Sequence, residues 1–161
     1  MKILYMYHEY GGRRKLYGEM LKHQGHEVHY FHVNGKSKPN QFSVKHIKKV
    51  NPDVLFLLSP FYVSKKVITD ECLEYVKTKG IILTTLNTLN TQVEYPETLD
   101  VWKLFDVLFI HNAEFNNYLN EQSLQSFYIP LAYYPDQYYR KSVQRDLEVS
   151  FYGQSTNHCS S

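Results

Sequence analysis

Apolar positions along this chain switch repeatedly between a period of two and a period near 3.6. Residues 2–7 (KILYMY) form a short β-favouring run, Gly11 and Gly12 break it, and Leu16, Met20 and Leu21 then recur at helical spacing until Gly25. Residues 27–33 are rich in β-branched and aromatic side chains and predict a second strand, with a polar loop at 34–40 after it. Val44, Ile47 and Lys48 belong to a short helix. Asn51-Pro52 ends it, because the ring of a proline crowds helical backbone in the residue before it. The run VLFLL at 54–58 is apolar at every position, the pattern of a central parallel strand covered on both faces.

The same cycle continues. Val67, Ile68, Cys72, Tyr75 and Val76 trace one face of a helix with Asp70 and Glu71 in its early turns, and Gly80 admits a strand at 81–85. A helix at 99–105, a strand at 106–110, a helix at 114–121 and a short strand at 126–129, ended by Pro130, complete the series. Six strands alternating with helices predict a doubly wound, Rossmann-like parallel sheet with right-handed crossovers and ligands in the crevice beyond the strands' carboxyl ends. Past Pro130 the pattern changes: Tyr133, Tyr134, Pro135, Tyr138 and Tyr139 occupy an irregular stretch, and 146–153 reads as one more strand. The organisation expected is a Rossmann-like domain at 1–132, a linker at 133–146, and the start of a further domain, or a frayed tail, at 147–161.

The chain has 161 residues, 43% hydrophobic and 21% charged, which suits one globular domain. Such a chain buries roughly two thirds of its unfolded surface, so neither disulfides nor a structural metal is required. Its apolar runs fall far short of the roughly 20 residues that span a bilayer. Cys72 and Cys159 make neither a disulfide framework nor a CxxC pair. A soluble cytoplasmic chain without a bound cofactor is expected. Net charge is +2, unevenly spread: residues 1–50 hold ten Lys and Arg against Glu9, Glu19 and Glu27, whereas 91–161 hold four against nine acids. A basic front half fits an anionic partner or a plain solvated lysine face. The basic residues are not interleaved with aromatics in a nucleic-acid-binding pattern, so no nucleic-acid partner is expected.

Several segments in order carry a resemblance: residues 2–12, KVNPDVLFLLSP (49–60), KGIILTTLN (79–87), FDVLFIHNAEFNNYL (105–119), and FYIPLAYYPDQYY leading into DLEVSFYGQ. The chain resembles the amino-terminal half of a GT-B glycosyltransferase, most nearly the group related to spore maturation proteins of the CgeB type. The resemblance implies a domain that binds the acceptor, with a nucleotide-sugar donor held mostly by a carboxyl-terminal domain across a cleft. It implies that this domain by itself lacks the donor-binding half and is inactive alone. A non-catalytic Rossmann-like module that binds a phosphorylated or glycan ligand, or a partner protein, is the competing reading.

Candidate site residues cluster after predicted strands. The first turn is His8-Glu9-Tyr10-Gly11-Gly12-Arg13-Arg14: glycines let backbone approach a ligand, a helix start offers free N–H groups to phosphate, and arginines add charge. A plain turn is the competing reading. His8 or Glu9 at a strand's carboxyl end has the chemistry of a general base for an acceptor hydroxyl. Pro60, Phe61 and Tyr62, then Asn87, then His111, Asn112 and Glu114 occupy equivalent positions, although Ser, Thr and Asn there also cap helices. His26, His29 and His32 do not make a metal site: residues three apart on a strand face opposite ways, and His26 and His32 stand roughly 20 Å apart at about 3.3 Å per residue. No GxSxG occurs, and Cys72 lies on an apolar helical face. The alternating Leu147, Val149 and Phe151 lack an evident ladder partner, so disorder or self-association is expected there.

Overall fold

The computed structural model describes residues 1–8, 17–33, 41–87 and 99–130. The glycine turn at 9–14, with Glu9, Gly11, Gly12 and Arg13, lies outside the described residues, as does the strand expected at 146–153. Six strands form one sheet: β1 (Lys2–His8), β2 (Glu27–Val33), β3 (Val54–Leu57), β4 (Ile82–Asn87), β5 (Val107–Ile110) and β6 (Ser126–Tyr128). Every pairing is parallel, and the order is β2-β1-β3-β4-β5-β6. The helices are α1 (Glu19–His23), α2 (Val44–Val50), α3 (Phe61–Ser64), α4 (Asp70–Thr78), α5 (Leu99–Trp102) and α6 (Ala113–Glu121). The doubly wound Rossmann-like α/β architecture expected from the alternation is therefore the one observed.

Strand order fixes where the helices lie. The step from β1 to β2 runs one way along the sheet and every later step runs the other way. Right-handed crossovers then place α1 on one face and the helices that link β2 through β6 on the opposite face. Packing agrees: Tyr30 of β2 reaches Glu19 of α1, α2 lies against α4, and α6 lies against β5 and β6. Because the winding direction reverses between β1 and β3, the crevice at the carboxyl ends of those two strands is the topological switch point. Leu55 and Leu57 of β3 are fully buried, as are Tyr5 and Met6 of β1 beside them. Each such side chain contributes about 1.5–3 kcal/mol by leaving water.

Local chemistry moves several element boundaries. The helix expected from Val67 begins at Asp70, because Thr69 takes an extended backbone (φ −79°, ψ 156°) and its Oγ1 accepts the Cys72 N–H at 3.3 Å. Val67 and Ile68 remain buried in extended chain, where Ile68 bridges Phe42 and the Phe42 N–H donates to the Val67 carbonyl. α5 stops at Trp102, short of the expected 105, since the Leu104 and Phe105 N–H groups bond three residues back in a tightened last turn. β4 runs two residues past its expected end, to Asn87, because Leu86 and Asn87 still find partners in Phe109 and Ile110 of β5. α3 lies where only a strand-to-helix turn was expected. Pro60, with φ at −63°, presets its first turn.

Candidate functional site at the carboxyl edge

His8 ends β1, and its Nδ1 lies 2.5 Å from the Tyr62 hydroxyl. The two residues are 54 apart in sequence, yet adjacent strands carry them to the same edge: the Leu58 N–H donates to the Met6 carbonyl at 2.9 Å, which aligns the exit of β3 with β1. Ser59 Oγ then accepts the Phe61 N–H at 3.3 Å, turning the chain into α3. That turn seats Tyr62 fully buried beneath a partly exposed His8, rings 5.9 Å apart and at 89°. Pro60 is buried as well, while Phe61 is exposed. His8, Pro60, Phe61 and Tyr62 therefore meet at the switch point.

A second cluster lies further along the edge. Asn87, buried at the end of β4, accepts the His111 N–H on its carbonyl at 3.1 Å. His111, also buried, bonds through Nδ1 to the Ile129 carbonyl, and its Nε2 lies 3.5 Å from the Tyr17 hydroxyl. Asn112 and Glu114 have roles in α6 itself: Asn112 Oδ1 accepts the Phe115 N–H at 2.7 Å, and Glu114 stands exposed in the first turn, where a negative charge suits the helix dipole. The geometry thus groups His8 with Tyr62 and Asn87 with His111. It gives Asn112 the cap of α6 and Glu114 a place in its first turn.

Tyr17 is the edge residue that sequence reasoning missed. Its partner stands 94 residues away, and no short-range pattern links the two. Elsewhere, His29 bonds Glu27 at 2.7 Å while His32 packs against Tyr7 at 5.2 Å, so these two histidines stand on opposite faces of β2. Among the described residues, no group of three or more His, Cys, Asp or Glu is placed to hold a metal ion. Cys72 is buried, and burial pushes its thiol up from 9.0, opposite to what a nucleophile needs. A cavity of about 550 Å³, lined by Leu73, Lys77, Ile81, Lys103 and Leu104, lies at the amino-terminal end of β4, away from His8 and His111. Among the described residues no helix is long and apolar enough to cross a membrane.

No protein-family model matches the chain, and no curated protein matches it. Among solved structures, a GDP-L-fucose synthetase from Naegleria fowleri superimposes with a TM-score of 0.34 at 14% identity. The match covers 81% of this chain and 48% of that one, so the chain spans about half the length of that protein. A superposition this loose transfers neither ligand nor chemistry.

Proposed function

We propose that the carboxyl edge is one wall of a sugar-transfer cleft, the acceptor-side half of a GT-B glycosyltransferase of the CgeB-like kind. The observation that carries this reading is the His8–Tyr62 hydrogen bond at the switch point, the place where doubly wound sheets bind ligands. With Nδ1–H donated to the Tyr62 oxygen, Nε2 keeps a lone pair, and Tyr62 orients the imidazole as the third member of a catalytic triad orients its base. His8 then takes the proton of an acceptor hydroxyl while that oxygen bonds to the anomeric carbon and the bond to the leaving nucleoside diphosphate breaks. Glu9, next in the chain, is the other base this reading allows. This reading assigns Gly11, Gly12 and Arg13 to the diphosphate, and Phe61, Asn87 and His111 to the acceptor side. On this reading the main donor contacts come from a second domain or subunit.

Glycan-array binding by the chain, its His8→Ala and its Tyr62→Phe variants, beside titration with UDP- and GDP-sugars, tests the reading. Glycan binding that falls at least about tenfold (about 1.4 kcal/mol) in both variants, without micromolar affinity for sugar nucleotides, supports it. Micromolar nucleotide-sugar affinity in residues 1–161 overturns the assignment of the main donor contacts to a second domain or subunit. Binding of phosphorylated ligands without glycan binding favours the non-catalytic module instead.

A further inference from the structure

Lysines gather where α2 and α4 end. Each of these helices links two parallel strands, so each returns from the carboxyl edge of the sheet to its amino edge, and the two lie against each other on the face opposite α1. Lys48 of α2 and Lys79, just past α4, both approach the half-buried ring of Tyr75, at 5.4 Å and 6.0 Å from its centre. Lys45, Lys49 and Lys77 stand exposed on the same two helices, and among the described residues none of the five lysines makes an ion pair. Helix stability does not account for this arrangement. Lysines in a last turn suit the helix dipole, as Lys48, Lys49 and Lys77 do, but Lys45 stands in the first turn of α2, where a cation opposes it. Lys45 also meets Lys48 and Lys49 at the three- and four-residue spacings where like charges repel, and α2 holds no acid. In α4, Asp70 pairs with Lys66 instead, and Glu71 and Glu74 make no ion pair among the described residues.

We propose that this lysine cluster docks the domain on an anionic lipid surface. The basic side chains here are all lysines, flexible point charges without the planar fork with which arginine grips phosphate and guanine. Tyr75, with two ammonium groups over its ring, offers nucleic-acid bases no stacking face. A lipid surface requires neither, since it attracts clustered lysines through its summed charge. Apolar surface next to the cluster fits the same partner. The cavity of about 550 Å³ is lined by Lys77 together with Leu73, Ile81 and Leu104, the last 46% exposed. Cations beside apolar side chains are what the boundary between headgroups and acyl chains favours. Of the two carboxylates that line the cavity, Glu74 and Asp106, the second accepts the Leu83 N–H at 2.7 Å. The proposal does not depend on what the carboxyl edge binds.

Co-sedimentation of the chain with vesicles of equal parts phosphatidylglycerol and phosphatidylcholine, against vesicles of phosphatidylcholine alone, tests this. Binding to the anionic vesicles only is expected at about 0.1 M salt, with release at about 1 M, where the screening length falls from about 10 Å to about 3 Å. Lys45→Gln/Lys48→Gln/Lys79→Gln should weaken binding at least about tenfold, each lysine near an anionic surface being worth roughly fivefold. Lys22→Gln/Lys65→Gln/Lys66→Gln, which removes the same charge elsewhere, should change it less than about twofold. Glutamine keeps the helix propensity of lysine, and circular dichroism checks that both triple variants fold. Equal losses in the two variants would assign the binding to net charge and overturn the proposal. So would equal binding to both kinds of vesicle, or none to either. Double-stranded DNA that strips the chain from the vesicles at equal phosphate concentration would overturn it in favour of a nucleic-acid surface.

Discussion

His111 donates its Nδ1–H to the main-chain carbonyl of Ile129, tying the end of β5 to the end of β6. That bond sets the tautomer, leaving Nε2 to accept from Tyr17 at 3.5 Å, a long and weak contact. The two bonds are therefore unequal. His111→Ala is expected to cost about 1–3 kcal/mol, since a partly buried carbonyl loses its donor, whereas Tyr17→Phe is expected to cost under about 1 kcal/mol. Urea unfolding of both variants checks the ranking; equal losses would mean that Tyr17 matters as much as the strand tie.

Gly18 opens α1 with ordinary helical backbone (φ −66°), so its glycine is explained by space rather than by conformation. A Cβ there would stand 2.4 Å from Cε1 of Tyr30. A tyrosine ring often swings aside, but this one is pinned: its hydroxyl bonds Glu19, Lys22 lies over its face at 4.8 Å, and Tyr5 and Tyr7 meet it edge-on. Gly18→Ala is expected to destabilise by about 1–3 kcal/mol through overpacking. Trimming the ring in Gly18→Ala/Tyr30→Leu should give a smaller loss than the sum of the two single changes. Strict additivity in thermal unfolding would disprove the clash.

The same Tyr30 hydroxyl donates to the Glu19 carboxylate at 2.8 Å. This bond, more than the Lys22 contact at 3.2 Å, holds the Glu19 carboxyl below its ordinary 4.5 against a weaker opposing effect of burial. Because the folded value is the lower one, the stabilisation is present above pH 4.5 and fades as pH falls through the lowered value. Tyr30→Phe should therefore lose more stability relative to the parent chain at about pH 6 than at about pH 3. A difference between the two proteins that stays constant across that range would assign the effect to ring packing.

The six strands were legible because parallel strands are short apolar runs punctuated by Gly, Pro and Asn, and VLFLL at 54–58 shows how strong that signal is. Their order was not. Nothing local in residues 27–33 says that β2 pairs outside β1, and that placement is what makes His8 and the 59–62 turn neighbours. Helix starts were misjudged where hydrophobic periodicity outran the helix: Val67 and Ile68 keep the spacing of Cys72 and Val76, but the Thr69 cap decides the boundary. Position just past the end of a strand named His8, Tyr62, Asn87 and His111 as candidates, and the fold carries all four to the carboxyl edge of the sheet, as two pairs. Tyr17 was not named, since its contact is made by tertiary packing alone.

Cys72 sits fully buried in α4, its Sγ donating to the Phe42 carbonyl at 3.6 Å and accepting from the Thr69 hydroxyl at 3.3 Å. Burial dominates and pushes the thiol above 9.0, with the nearby Glu71 charge adding in the same direction and the Thr69 bonds only partly offsetting it. A thiolate in this position would forfeit its hydration beside a carbonyl oxygen. Since the folded value is the higher one, its stabilising contribution is complete below pH 9.0 and drains away as pH rises through the folded value. Two outcomes are expected. Iodoacetamide at about pH 8 should leave the Cys72 peptide unmodified in the folded chain and alkylate it once urea unfolds the protein, because the thiolate is the reacting species and it is both scarce and enclosed. Cys72→Ser should fold and should show a shallower loss of stability on the alkaline side than the parent chain, a serine hydroxyl having no proton to lose there. Peptide mass spectrometry reads the first and thermal unfolding across the alkaline range reads the second. Alkylation of folded Cys72 at the rate of a free small-molecule thiol would show that α4 opens far more readily than its packing implies.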